Sequence, residues 1–134
     1  MHSSLNTFSF FAVGLGAALG AWSRWGLGLL LNPLFVAVPL GTLVANLIGG
    51  YLIGVAVGIF HLQAEVSPAF KLFVITGFLG GLTTFSTFSA EVTERLLAGQ
   101  FLLALGLAAS HLAGSLALTW LGLFTVGAHR IWAN

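Results

Sequence analysis

The sequence predicts an all-α integral membrane protein with four transmembrane helices. Of its 134 residues, 58% are hydrophobic and only 5% are charged, and the mean hydropathy is +1.07. A soluble domain carries charge on about a quarter of its residues, so water is excluded as the main solvent. The apolar residues also form continuous runs of about 20 or more, which suit membrane helices, and not the alternating ten-residue segments of a β-barrel.

Four spans are predicted, at residues 8–31, 40–61, 69–97 and 101–126. Turn signals separate them. Asn32-Pro33 ends the first span, and Pro39 precedes the second, where a missing N–H costs no helical hydrogen bond. Ser67 and Pro68 supply an N-cap and a first helical position for the third span.

The first ten residues, MHSSLNTFSF, lack the basic region and small-residue cleavage site of a secretory signal. We therefore expect the first apolar segment to be a retained span. We expect residues 1–134 to form a single transmembrane domain. The chain has no cysteine, which excludes disulfides and thiolate metal sites.

The third span is too long for a straight helix across the membrane. Its 29 residues, counted from the predicted bounds 69–97, would extend about 43 Å, against a hydrocarbon thickness of about 30 Å. Gly80 and Gly81, followed by Thr83 and Thr84, are poor helix formers. We therefore expect the third helix to be broken in mid-membrane, at a place buried in protein or lining a polar cavity.

The positive charges give no single orientation. With four spans, Lys71 and Arg130 lie toward one side of the membrane, and Arg24 and Arg95 lie toward the other. The positive-inside rule needs an imbalance, which this chain lacks. The balance predicts insertion in both orientations and an antiparallel, dual-topology homodimer, although a single orientation set weakly by Arg24 or Arg130 stays open.

Small and polar residues share one face of the second span. Thr42, Asn46, Gly50, Gly54 and Gly58 recur every four residues. The glycines predict close packing of helix backbones. Asn46 is either a hydrogen-bonding link between helices or a donor that lines a pore, and the spacing does not decide between these roles.

Two other spans carry polar side chains at membrane depth. Arg24, in the first span, is either an interfacial anchor beside two tryptophans or part of a vestibule that attracts anions. His111, Ser115 and Thr119 recur every four residues along the fourth span. Hydroxyls can be satisfied by their own helix, and His111 is either a donor or a satisfied core residue, but three polar residues in register favour a polar path.

The stretch GGLTTFSTFSAE, residues 80–91, combines aromatic rings with hydroxyl groups. Phe85 and Phe88 share one helical face, as core residues commonly do. Here they are flanked by hydroxyls, next to a predicted break that frees backbone groups. Ring edges, hydroxyl protons and free N–H groups all present positive charge density without formal charge. This collection suits a small, hard anion, and freed carbonyls suit a hard cation.

Other functional classes fit less well. The sequence has no nucleophile–base pair, paired carboxylates or His-Glu-x-x-His motif, so we do not expect an enzyme. Small dual-topology multidrug exporters are the alternative, but they couple transport to a glutamate in the first helix, and residues 8–31 contain no acid. A purely structural subunit would not need polar groups at membrane depth.

The sequence resembles the Fluc/CrcB family of bacterial fluoride channels. The resemblance rests on GFLGGLTTFSTFSAE at 77–91, GAWSRW at 20–25, GTLVANLIGGYLIG at 41–54, and the polar stripe of the fourth span. It implies an antiparallel homodimer in the bacterial inner membrane, with two pores that pass fluoride passively out of the cytoplasm and give fluoride resistance. It implies no nucleic-acid partner.

The resemblance also implies roles for individual residues. The implied pore residues are Phe85, Phe88, Asn46, Ser86, Thr87, His111, Ser115 and Thr119. Arg24 corresponds to a vestibule arginine, and Glu91 to a carboxylate near the pore end whose role is undefined. The backbone carbonyls of Gly80 and Thr83, from both subunits, correspond to a structural Na⁺ site on the dimer axis.

Overall fold

The computed structural model describes residues 6–133; residues 1–5, part of the N-terminal stretch discussed above, and residue 134 lie outside it. Every regular element in this range is helical. The elements are α1 (Thr7–Leu31), α2 (Leu40–Leu62), α3 (Pro68–Leu72), a π-helical stretch (Phe73–Leu79), α4 (Gly80–Leu82), α5 (Ser86–Leu97) and α6 (Phe101–Thr125), with 3₁₀ turns at Asn32–Leu34 and Ala128–Ile131. We call Pro68–Leu97 the third segment. The ends of α1, α2, the third segment and α6 lie within one residue of the predicted spans.

Three helical segments of the described range are long and apolar enough to cross a membrane. They are Leu40–Leu62, Pro68–Leu97 and Phe101–Thr125, with hydropathies of 2.1, 1.4 and 1.8. The chain is therefore an all-helical, multi-pass membrane protein. Helix α1 has 25 residues, a sufficient length, but it does not reach the same apolar character because Arg24 and its polar neighbours interrupt it. A fourth span remains a prediction.

Side chains pair with backbone N–H groups at the starts of the third segment and of α2. The Ser67 hydroxyl accepts a hydrogen bond from the Phe70 N–H at 3.2 Å, and Pro68 occupies the first helical position, as the sequence predicts. Asn32 Oδ1 accepts a hydrogen bond from the Gly41 N–H at 2.7 Å. This second contact, which was not predicted, holds the end of α1 to the start of α2.

The helices meet through their backbones at glycine positions. Helix α2 packs along α6, and a Cβ added at Gly54 would lie 2.1 Å from the Thr119 carbonyl oxygen. Helix α1 packs along the third segment, where a Cβ at Gly20 would lie 2.1 Å from the Phe78 carbonyl oxygen. The predicted glycine seam of α2 is thus confirmed. Among residues 6–133, the buried leucines are Leu79, Leu82 and Leu107.

The third segment does not run as a regular α-helix. Its middle turns, Phe73–Leu79, are π-helical, and helical backbone ends at Leu82 and begins again at Ser86. Thr83 is extended, with φ −85° and ψ 154°. The expectation that Gly80 and Gly81 themselves interrupt the helix is wrong, because both are helical. The reason for a glycine at 81 is packing, since a Cβ there would lie 2.4 Å from the Ala17 carbonyl oxygen of α1.

Candidate functional site

Asn46 organises the irregular stretch between α4 and α5. Its Oδ1 accepts a hydrogen bond from the Thr84 N–H at 2.8 Å, and its Nδ2 donates to the Thr84 carbonyl at 2.9 Å. The amide therefore satisfies both backbone groups of a residue that has left the helix. Such groups are costly at membrane depth unless a side chain pairs with them. Of the two roles left open for Asn46, the link between helices is thus present.

The same amide fixes the tautomer of His111. Asn46 Nδ2 lies 2.9 Å from His111 Nδ1, and an amide nitrogen can only donate, so Nδ1 of a neutral ring accepts and Nε2 carries the proton. His111 is 4% exposed, and its Nε2 has no hydrogen-bond partner in the described part of the chain. The ring is satisfied on one side and presents an unpaired donor on the other.

A cavity of about 450 Å³ lies beside these two residues, between α2, α6 and the third segment. It brings together six of the predicted pore residues: Asn46, Phe85, Phe88, His111, Ser115 and Thr119. It also includes Gly80, Thr83 and Thr84. None of the residues that line it is Asp, Glu, Lys or Arg. The cavity wall is therefore mostly apolar, with a few uncharged polar groups and no fixed charge.

The aromatic rings of the motif contact each other and the histidine. The rings of Phe85 and Phe88 have centroids 5.6 Å apart at an interplanar angle of 74°, an edge-to-face arrangement. The centroids of Phe88 and His111 are 4.5 Å apart. Phe85 is 79% exposed in the single chain. Phe88 therefore belongs to the wall of the cavity, whereas Phe85 stands at its open side.

The hydroxyls of the predicted path differ in what they can donate. Thr119 Oγ1 lies 2.9 Å from each of two carbonyl oxygens, those of Gly50 and Ser115. Its one proton is therefore held by the backbone, and Thr119 offers the cavity only lone pairs. The Ser115 hydroxyl lines the cavity and has no partner among residues 6–133. Ser115 is thus the better donor of the two.

Two of the predicted pore residues lie outside the cavity lining. Ser86 Oγ lies 3.3 Å from Thr84 Oγ1, at the start of α5. The Thr87 N–H donates to the same Thr84 oxygen at 3.1 Å. Thr84 therefore acts as the cap of α5. Ser86 and Thr87 therefore contact Thr84, which lines the cavity, but do not line the cavity themselves.

The carbonyls of Gly80 and Thr83 have lost their usual helical donors. In a continuous helix they would accept from the N–H groups of Thr84 and Thr87. Those two N–H groups instead donate to Asn46 Oδ1 and to Thr84 Oγ1. Within residues 6–133, no group of three or more His, Cys, Asp or Glu side chains is arranged to hold a metal. The two carbonyl oxygens are therefore free to bind a cation or another donor.

Arg24 is attached to the third segment. Its Nε donates to the Gly81 carbonyl at 3.2 Å, so α1 satisfies a carbonyl at the end of α4. The side chain is partly buried and does not line the cavity. This contact was not among the roles predicted for Arg24, and it links the arginine to the irregular stretch directly.

Glu91 also lies outside the cavity, one turn along α5. The Thr42 hydroxyl donates to Glu91 Oε1 at 2.5 Å, and Thr42 is 6% exposed. Sequence reasoning did not include Thr42 or Thr84 among the site residues. Thr42 could have been found from its spacing, since it lies one turn from Asn46 on α2, and Thr84 lies two residues after Leu82, where the helix ends.

Comparison with known proteins shows the family of this chain. The family model described as "CrcB-like protein, Camphor Resistance (CrcB)" matches residues 4–123. A protein of Dechloromonas aromatica named "Fluoride-specific ion channel FluC" is 73% identical over 129 residues, covering 96% of each chain. Proteins with the same name from Ralstonia pickettii (58% identical, covering 91% of this chain and 97% of theirs) and Nitrosospira multiformis (57%, 91% and 95%) are also similar. The chain belongs to the CrcB-like family.

Proposed function

We propose that this protein is a fluoride-selective channel that lets fluoride leave the cytoplasm down its electrochemical gradient. One observation supports this most: the cavity that joins Asn46, Phe88, His111 and Ser115 has uncharged polar groups and no fixed charge. The 73% identical relative that is named a fluoride-specific channel supports the same ion. The proposed role of the protein is resistance to fluoride.

The hydrogen-bond donors of the cavity suit conduction of an anion better than tight binding of it. Conduction needs binding that is favourable enough for entry and weak enough for exit. The edges of the Phe85 and Phe88 rings, the unpaired Nε2–H of His111 and the free Ser115 hydroxyl each offer partial positive charge. A lysine or arginine at the same place would hold anions too long. Ser86 and Thr87 would extend the path beyond the cavity, with Arg24 at its vestibule.

We propose that two chains pack antiparallel to complete the path. The cavity is open on one side of the single chain, and Phe85 is 79% exposed there. A second copy of the chain would cover the Phe85 ring, and the dimer would then contain two pores. In this arrangement α1 is the fourth span, the irregular stretch 83–85 lies in mid-membrane, and the dimer lies in the bacterial inner membrane.

The carbonyls of Gly80 and Thr83 fit a structural Na⁺ ion at the dimer axis. Both lack their helical donors because Asn46 and Thr84 side chains take the N–H groups. Carbonyl oxygen of unwound helix is a suitable ligand for Na⁺. Two chains would supply four such oxygens, and the ion would supply positive charge that holds the two irregular stretches together.

Weak-acid chemistry explains why a passive channel is sufficient. Hydrogen fluoride is neutral, crosses bilayers, and ionises at cytoplasmic pH, so fluoride is trapped inside. The membrane potential is worth about 2.3 kcal/mol per charge per 100 mV and drives the anion outward. The proposed channel therefore needs neither ATP nor proton coupling.

A liposome assay tests the proposed function. Purified protein is reconstituted in vesicles loaded with potassium fluoride, and valinomycin is added so that K⁺ follows the anion. We expect rapid fluoride efflux that depends on the protein, and little chloride efflux under the same gradient. The donors of an uncharged path must take the place of the water molecules around the anion, and donors spaced for fluoride do not fit the larger chloride ion. Equal chloride and fluoride efflux, or no fluoride efflux, would contradict the proposal.

A topology experiment tests the antiparallel arrangement. Lys71 and Arg130 balance Arg24 and Arg95, so the charges do not select one orientation. A tag at the C-terminus is expected to be accessible from both faces of the membrane in cells that resist fluoride. Accessibility from one face only, in an active protein, is the result that rejects dual topology.

A further inference from the structure

The backbone of Thr84 fixes the orientation of the Asn46 amide. Asn46 Oδ1 accepts from the Thr84 N–H at 2.8 Å, and Nδ2 donates to the Thr84 carbonyl at 2.9 Å. Turning the amide by half a rotation would set Nδ2 against the Thr84 N–H and Oδ1 against the Thr84 carbonyl oxygen. Two donors and two acceptors would then face each other. Only one orientation of the amide therefore satisfies Thr84.

In that orientation the amide requires an acceptor on His111. Asn46 Nδ2 carries two protons. One is directed to Thr84, and the other faces His111 Nδ1 at 2.9 Å. A neutral imidazole supplies an acceptor at Nδ1, whereas an imidazolium has donors at both ring nitrogens. Protonation of His111 would therefore bring two N–H groups against each other at the position of this contact.

No charged group of the described residues faces the His111 ring across the cavity. From α2 the ring is contacted by Asn46, and from α5 by Phe88, whose centroid lies 4.5 Å away. The cavity residues of the π-helical stretch are apolar, and His111 is the only titratable residue in the lining. Glu91 of α5 and Arg24 of α1 do not line the cavity. A protonated ring would thus lose the Asn46 contact without gaining a counter-charge from the cavity.

We infer that His111 is a positioning residue that makes conduction sensitive to acid, because only its neutral ring keeps the Asn46 amide paired with Thr84. The inference rests on the proposed function. Once the ring is protonated, Asn46 either gives up its contact with His111 or turns and gives up both contacts with Thr84. The irregular stretch 83–85 then loses the side chain that holds its backbone. The charged ring would also retain the anion in the cavity, and conduction needs weak binding. Both effects lower fluoride flux as the pH falls.

The experiment measures initial fluoride efflux from liposomes with equal pH on both sides, between about pH 8 and about pH 5, the range in which histidine commonly titrates. Fluoride stays almost fully ionised over this range, and the leak from protein-free vesicles is subtracted at each pH. We expect the wild-type flux at the acid end to be half of its value at the alkaline end or less. A wild-type flux that is the same at both ends overturns the inference.

Two substitutions of His111 separate the acceptor from the ring. In His111→Asn, the side-chain oxygen lies at about the position of Nδ1 and accepts from Asn46 at every pH. In His111→Leu, no acceptor is left. Both variants lose the Nε2–H donor, so they differ in the acceptor alone. We expect flux that is independent of pH in both, and higher in His111→Asn than in His111→Leu. Equal flux in the two folded variants, or acid dependence in either, overturns the inference.

His129→Asn is the matched control. His129 also lies in the described range and has a buried Nδ1 without a hydrogen-bond partner there, but it does not line the cavity. We expect this variant to keep the acid dependence of the wild-type protein. Loss of the acid dependence in His129→Asn would assign the effect to the wrong histidine and overturn the inference.

Nitrogen NMR of the wild-type protein in bilayers gives a test that needs no variant of His111. We expect the Nε2–H tautomer of His111 at the alkaline end and protonation of the ring in step with the loss of flux. An Nδ1–H tautomer, or a ring that is still neutral after flux is lost, overturns the inference. Normal flux at the alkaline end leaves the proposed function standing in each of these cases, whereas absence of fluoride flux at every pH overturns both.

Discussion

Replacing Phe88 by Ile is expected to reduce fluoride flux about tenfold, the change that about 1.4 kcal/mol produces in a rate. Isoleucine has similar bulk but no ring edge with positive charge density. Phe88 lines the cavity, 4.5 Å from the ring of His111 and 5.6 Å from that of Phe85, measured between centroids. The substitution therefore removes an electrostatic contact with the anion while keeping most of the packing. The measurement is the initial rate of efflux from liposomes, per unit of folded protein.

Phe78→Ile is the matched control for this prediction. Phe78 packs against the core cluster of the described residues and does not line the cavity. It should behave as a core residue, losing about 1 kcal/mol of stability while its folded fraction transports normally. If Phe88→Ile instead loses stability and keeps its flux, the pore role of Phe88 is rejected.

Gly80→Val is expected to abolish both dimer assembly and fluoride flux. Within one chain the substitution fits, because a Cβ at Gly80 would meet only the Ile75 carbonyl oxygen, at 3.6 Å, an ordinary contact. Gly80 is also exposed. A loss of assembly must therefore come from a partner chain whose backbone approaches this position, as the proposed Na⁺ site requires. Assembly is measured by size-exclusion chromatography or cross-linking in detergent, and flux is measured in liposomes.

Gly106→Val separates this effect from a general intolerance of valine. Gly106 is exposed on α6, and a Cβ there would meet nothing within 4 Å. Because it lies away from the cavity, we expect normal assembly and flux. Gly80→Val protein that assembles and conducts normally would falsify the placement of Gly80 at the dimer axis.

Replacing Na⁺ with a large organic cation should slow flux in the wild-type protein as the buried ion exchanges.

The helices could be predicted from the sequence because their signals are local. Apolar runs of sufficient length and the Ser67-Pro68 cap fixed the ends to within a residue. The glycine spacing of α2 likewise predicted a close backbone contact, which the packing of Gly54 on Thr119 confirms. Periodicity within one helix carries this information without knowledge of the neighbouring helix.

The details of the third segment depend on contacts between helices, which a pattern along one helix does not contain. Gly81 contacts α1 through its backbone, and the helix ends at Leu82, where an amide from α2 takes both backbone groups of Thr84. The π-helical turns at Phe73–Leu79 have no signal in composition. The contact between Thr42 and Glu91 was not predicted for the same reason, although the sequence analysis named each of the two residues separately.

The packing of the helices within a bilayer has a consequence for the temperature dependence of stability. Helices meet at glycines, and the buried leucines among residues 6–133, Leu79, Leu82 and Leu107, lie between helices. Separating such helices within a bilayer exchanges protein contact for lipid contact and transfers little apolar surface to water. The heat capacity of unfolding comes mainly from that transfer, so here it is small. The free energy of unfolding then varies almost linearly with temperature, without the loss of stability on cooling that soluble proteins show.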